Sequence, residues 1–246
     1  MLKNLWILAA LALAACGGPA EQAAETDPSP SGEPAVSQAA IAEPELVATS
    51  DAAGAPATGR FEIGVHYMRL SPTQPTSSNP DQVEVCEVFW YGCPHCFNFD
   101  PLLKGWLETK PDNVSFVRVP AVWNPELQLH ARAFYTAEAL GKGAEMHDEF
   151  FREIHERGNE LDSEAKLQAF FGRFDVDAAV FKTAFDSFEV HAKLQRADEL
   201  SRRYRIQSVP TIVVNGKYTT GGGQVASYEE LLALVDELAA AEGAGR

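Results

Sequence analysis

Residues 82–96 read QVEVCEVFWYGCPHC, and the fold is decided in this stretch. From Gln82 to Tyr91 the run is rich in β-branched and aromatic residues, with apolar side chains on both faces. That is the pattern of a central strand covered on both sides. Pro94 suits the first position of a following helix, because the amide it lacks has no partner there. Pro101 falls inside the same helical pattern and predicts a kink. Asn113 to Val119 (NVSFVRV) alternates as a second strand, so strand, helix and strand follow in order.

Downstream, from about Glu126 to Arg205, the patterning is entirely helical. Leu127, Ala131, Phe134 and Tyr135, then Phe150, Phe151 and Ile154, then Leu167, Phe170 and Phe171, then Val180, Phe181, Ala184 and Phe185 recur at three- or four-residue steps and predict a helix core. The rival reading, an aromatic cofactor box, lacks a phosphate loop or other polar anchor. Val209 to Val214 then predicts a strand, Asn215-Gly216 a two-residue hairpin turn, and Lys217 to Thr220 its return. Ser227 to Glu230 is a capping box opening a last amphipathic helix, with Leu231, Leu234, Val235 and Leu238 on its apolar face. This order predicts an α/β chain of the thioredoxin type with a helical insertion at about 126–205.

The 246 residues carry 20 Lys and Arg against 35 Asp and Glu, a net charge of −15. Phosphate contacts need a basic surplus, so nucleic acid is not an expected partner. Upstream, MLKNLWILAALALAA at residues 1–15 has one base and an apolar run about half as long as a bilayer span. It predicts a signal peptide rather than an anchor. Leu13-Ala14-Ala15-Cys16 resembles the bacterial lipobox, which implies lipidation of Cys16 and a membrane anchor; the alternative is a plain secretory signal with an incidental cysteine. Gly17, rather than Asp, follows that cysteine, which favours the outer over the inner membrane. The rest of residues 16–60 holds six prolines, seven acids, one base and no aromatic residue, and predicts a disordered tether. As a flexible coil it would reach about 35 to 40 Å. Residues 61–246 are the expected folded domain.

The cysteines are Cys16, Cys86, Cys93 and Cys96. Cys93-Pro94-His95-Cys96 places two sulfurs where a strand gives way to a helix, with the first near the unpaired amides of the opening turn. Those amides favour a thiolate at Cys93, and His95 adds a donor or positive charge beside it. A stabilised thiolate favours the reduced pair, which makes the disulfide an oxidant. A structural zinc site would need two further ligands, yet no second CxxC or HxxxH follows. A c-type haem would need His where Phe97 stands, and an iron–sulfur cluster needs more thiolates. A purely structural disulfide closing so short a loop would stabilise weakly.

Glu87 to Cys96 (EVFWYGCPHC) and Val209 to Tyr218 (VPTIVVNGKY) resemble the two signature regions of the DsbA family of thiol:disulfide oxidoreductases, and the similarity runs from Phe61 to about Ala240. DsbA is itself the usual example of a strongly oxidising CxxC, and that tendency is what the resemblance implies here. It implies that Cys93 is the exposed nucleophile, Cys96 the buried resolving thiol, and their disulfide the only redox group, without metal or other cofactor. It implies that Pro210 is a cis proline facing the dithiol, with the Val209 backbone pairing with an extended substrate; otherwise Pro210 is an ordinary proline at a strand start. Glu87 resembles the acid beneath the disulfide, a proton acceptor for Cys96, or else is a paired core charge. Cys86 has no counterpart in the motif and reads as a buried, inert thiol. The implied partners are reduced exported proteins in the periplasm and a quinone-linked membrane re-oxidant of the DsbB type. The alternatives are a disulfide reductase or isomerase and a peptide-binding holdase.

Overall fold

The computed structural model describes residues 59–244; the signal peptide, Cys16 and nearly all of the tether lie outside the described residues. Seven helices and five strands are arranged in the described residues as β1 (Met68–Arg69), β2 (Val83–Phe89), α1 (Pro94–Thr109), β3 (Val114–Pro120), α2 (Pro125–Ala139), α3 (Gly143–His155), α4 (Glu164–Gly172), α5 (Ala178–Phe185), α6 (Phe188–Arg203), β4 (Thr211–Val214), β5 (Tyr218–Gly221) and α7 (Tyr228–Ala244). The sheet order is β1-β5-β4-β2-β3. β2 pairs in parallel with β3 and antiparallel with β4, so it has a neighbour on each side and is buried along its whole length. Its two-sided apolar pattern is the cause: alternate residues enter different cores. Val83 and Val85 pack with Phe99 and Leu103 of α1 and Leu231, Leu234 and Leu238 of α7. Cys86 and Val88 point the other way, into a layer with Leu127 and Ala131 of α2 and Ala197 of α6.

The stretch with helical patterning holds the five helices α2 to α6. Their aromatic residues form a third core around Phe134, Phe150, Phe151, Phe170, Phe171, Phe181 and Phe185. Val180, expected on that apolar face, is 45% exposed, because the short α5 turns only Phe181 and Phe185 inward. α1 runs as one helix through Pro101 to Thr109 and is not ended by it. The hairpin turn has Asn215 and Gly216 at φ 52° and 62°, the left-handed pair that a two-residue turn requires. At the start of α7 the Ser227 hydroxyl accepts from the Glu230 amide (3.2 Å), but the Glu230 carboxylate accepts from the amide of Ala226 (2.6 Å) rather than from that of Ser227. Strand β1 has no counterpart in the sequence reading: two exposed residues pair antiparallel with β5, too short to show alternation. Among the described residues no helix is long and apolar enough to cross a membrane.

Candidate active site

Cys93 is the N-cap of α1, with extended backbone (φ −86°, ψ 116°), and Pro94 follows as the first helical residue. A turn closed by Cys93 N–H donating to the Trp90 carbonyl (3.1 Å) delivers the chain from β2 to this point. Both motif cysteines are thiols in this structure, as is Cys86. Cys93 is only 7% exposed and Cys96 is fully buried. The expectation of an exposed nucleophile is thus corrected: Val209 closes over the sulfur, and the Cys93 thiol donates to the Val209 carbonyl at 3.5 Å. The Val209–Pro210 peptide bond is cis. Pro94 and His95 are exposed on the rim. Beside them His95, Val209, Pro210, Gly222 and Tyr228 line a cavity of about 650 Å³. The Tyr228 hydroxyl lies 3.3 Å from His95 Nδ1.

The two sulfurs are pushed apart in acidity. A hydrogen bond from Cys96 pulls Cys93 down to about 6; partial burial opposes it, while the amides of Cys96 and His95 and the His95 charge assist, although neither amide completes a capping hydrogen bond on the sulfur. Cys96 is driven far above the ordinary thiol range by its burial, by its hydrogen bond to Cys93, and by the negative charges of Cys93 and Glu87. At pH 7 a thiol with a pKa of about 6 is about tenfold more thiolate than thiol, which favours the reduced pair by about 1.4 kcal/mol, or about 30 mV.

Beneath Cys96 lies a buried charged seam. Glu87 of β2 faces Arg118 of β3 in the parallel register, and Arg118 Nε donates to its carboxylate at 3.0 Å. The same guanidinium donates to Asp100 of α1, one turn beyond Cys96, at 3.0 Å. Asp100 also meets Lys104 (2.8 Å) and His147 of α3 (3.0 Å). Burial pushes Glu87 up to about 7, against the pull of Arg118 and with the push of Asp100. Burial acts on Asp100 in the same direction, but the hydrogen bonds from His147 and Lys104 and the Arg118 charge prevail and hold it at about 2. Glu87 is therefore both a paired core charge and a carboxyl that changes state near neutrality. Cys86 faces the opposite layer, and burial pushes its thiol up. Arg118, Asp100 and His147 went unread in the sequence; a lone arginine in the alternating NVSFVRV strand and an acid four residues past Cys96 were the available signals. No group of three or more His, Cys, Asp or Glu among the described residues is arranged to hold a metal ion.

The chain that carries this arrangement is similar to known proteins. The chain is 36% identical over 178 residues to the thiol:disulfide interchange protein DsbA of Azotobacter vinelandii, which spans 72% of this chain and 83% of that one. This chain belongs to the DsbA family. The family model for the DSBA-like thioredoxin domain matches residues 113–233. DsbA of Pseudomonas aeruginosa is likewise 36% identical, over 72% of this chain and 84% of its own. Its crystal structure superposes with a TM-score of 0.72 at 35% identity, covering 76% of this chain and 97% of that one. The oxidoreductase DsbA of Xylella fastidiosa superposes at 0.68 with 32% identity, over 73% and 96%. Like its DsbA relatives, the chain is a thiol:disulfide oxidoreductase of thioredoxin-like fold with a helical insertion.

Proposed function

We propose that this DsbA-family chain oxidises dithiols of exported proteins through a disulfide between Cys93 and Cys96. The observation that carries this reading is the pair of thiols at one helix start, Cys93 as its N-cap against the Val209 carbonyl and cis Pro210 and Cys96 fully buried behind it, an arrangement that holds Cys93 down to about 6 and drives Cys96 up. A substrate thiolate attacks Cys93 of the disulfide, forming a mixed disulfide, and the electron pair of the broken bond goes to Cys96. The buried Cys96 takes up a proton, and Glu87, whose charge acts on that sulfur and whose carboxyl titrates near 7, is the group placed to give it. A second substrate thiolate then attacks the substrate sulfur and releases Cys93 as a stabilised thiolate. The substrate loses two electrons, and the protein gains them as a dithiol. The Val209 backbone beside cis Pro210 offers an edge on which an extended chain can lie.

The chemistry requires no cofactor beyond the two sulfurs. Cleavage of an export signal at residues 1–15 would put this work in the periplasm, where DsbA relatives act, and lipidation at Cys16 would tether it to a membrane, the outer one by Gly17. Renewed turnover calls for a membrane re-oxidant of the DsbB type. The test is the redox equilibrium of the full chain with glutathione, together with oxidation of a reduced, unfolded substrate. An oxidising equilibrium and complete loss of substrate oxidation in Cys93→Ala support the reading. A potential near thioredoxin's, about −270 mV, would place the protein among reductants.

A further inference from the structure

Four of the six histidines in the chain lie on the helical insertion, and three of them turn their rings toward Trp90 and Tyr91, which lead into the CxxC. Trp90 Nε1–H donates to Nδ1 of His130 on α2 (2.9 Å). An indole N–H can only donate, so His130 is neutral in this arrangement, and its Nε2–H donates to the Glu160 carbonyl (3.0 Å). His155 Nε2–H donates to the Tyr91 carbonyl (2.7 Å), and the His155 ring stacks on Phe97 with centroids 4.8 Å apart. His147 Nε2–H donates to the Asp100 carboxylate (3.0 Å), which leaves Nδ1 to accept from the Tyr91 hydroxyl (3.0 Å). The Tyr91 ring also stacks on Phe150 at 4.5 Å.

These anchors converge on one small element. Trp90 to Cys93 is the turn closed by Cys93 N–H on the Trp90 carbonyl, and the Trp90 indole packs so closely over Gly92 that position 92 has no room for a β-carbon. The position of the Cys93 sulfur against the α1 amides and the Val209 carbonyl follows from where this turn sits. The hydrogen bonds of the three histidines fall on Trp90, Tyr91, Asp100 and Glu160 rather than on the sulfurs themselves. Each fixes the turn from outside, on a side chain, a carbonyl or a hydroxyl. Phe97, gripped by His155, is the residue after Cys96, so the insertion holds the dithiol from both flanks.

We propose that His130, His147 and His155 are positioning residues for Cys93: through Trp90 and Tyr91 the helical insertion sets the geometry that makes this sulfur a stabilised thiolate. Geometry of this kind depends on supporting bonds that lock the groups around the reacting atom. The proposal rests on Cys93 being the reacting thiol, and the experiment separates the two ideas.

The measurements are the ultraviolet thiolate titration of the reduced full chain and its glutathione equilibrium, each made beside a thermal melt. His155→Phe keeps a ring on Phe97 but removes the donor to Tyr91; Tyr91→Phe removes only the hydroxyl held by His147; His130→Phe removes the acceptor for Trp90. Each is expected to raise the Cys93 midpoint by about half a unit or more and to shift the glutathione equilibrium about threefold or more toward the disulfide. His130→Gln, which retains an acceptor for Trp90 and a donor for Glu160, is expected to restore wild-type values. Variants that melt earlier but titrate and equilibrate like wild type would overturn the proposal, since purely structural histidines behave that way. Where a histidine variant fails to fold, Tyr91→Phe, the loss of one oxygen, decides. A wild-type Cys93 that titrates as an ordinary thiol would instead defeat the underlying assignment.

Discussion

The core between the sheet and helices α1 and α7 is largely aliphatic, built on Val83, Val85, Leu103, Ile212, Val214, Leu231 and Leu234. The core of the helical insertion is aromatic, built on Phe89, Phe134, Phe150, Phe151, Phe170, Phe171 and Phe181, and Cys93 and Cys96 are packed into it. Strands supply much of the first and helices most of the second. The difference teaches that the dithiol, although carried by the thioredoxin strand and helix, takes its surroundings from the insertion. Between the two cores runs the seam of Glu87, Arg118 and Asp100, where two buried carboxylates share one guanidinium. Damage to the aliphatic core should therefore be felt as lost stability alone, and damage to the aromatic core as lost stability together with altered sulfur chemistry.

Phe150→Ala gives the largest expected effect. Phe150 is fully buried and stacks on Tyr91, so its truncation should cost about 3 to 5 kcal/mol in denaturant unfolding and also move the Cys93 titration upward. Leu103→Ala, equally buried on the other side, should cost about 2 to 5 kcal/mol and leave that titration where it was. A Cys93 midpoint that moves equally in both variants would erase the distinction between the cores.

The seam adds a pH signature. Because the folded pKa of Glu87 is raised to about 7, the folded state holds a proton that the unfolded state has released. Its contribution is complete below the unfolded value of about 4.5 and is lost as pH rises toward 7, at up to about 1.4 kcal/mol per pH unit. Glu87→Gln should remove this decline, which stability curves from pH 4.5 to 8 would register. Asp100 has the opposite sign: held at about 2, it contributes above its unfolded value of about 3.8 and loses that contribution as the solution is acidified toward 2. The smallest expected change is Cys86→Ala, about 1 kcal/mol of stability with unaltered substrate oxidation, since this thiol faces the layer away from the dithiol. A rate change in that variant would mean that the layer formed with α2 and α6 also bears on the sulfurs.

The framework was legible because it rests on local signals. The doubly apolar β2, Pro94 at a helix start, Asn215-Gly216 and the leucines of α7 each specify an element without reference to distant residues. What stayed hidden depends on juxtaposition. Arg118 becomes the partner of Glu87 only through the register that sets Val88 opposite Val119, and nothing in either strand alone specifies that alignment. The histidines on α2 and α3 look like ordinary helical residues until the insertion folds back over Trp90 and Tyr91. The exposure of Cys93 was misread for the same reason: its cover comes from Val209, 116 residues away.

That cover has a consequence for the choice of customer. A sulfur recessed behind a backbone carbonyl and reached along the rim of a groove cannot meet a cysteine set in a flat, finished surface. It can be met by one borne on a slender strand of polypeptide that is still pliable enough to thread in. For the dithiol oxidation proposed above, discrimination would then fall on the maturity of the incoming chain rather than on its neighbouring residues, and the reaction would close to each protein as that protein completes its own folding.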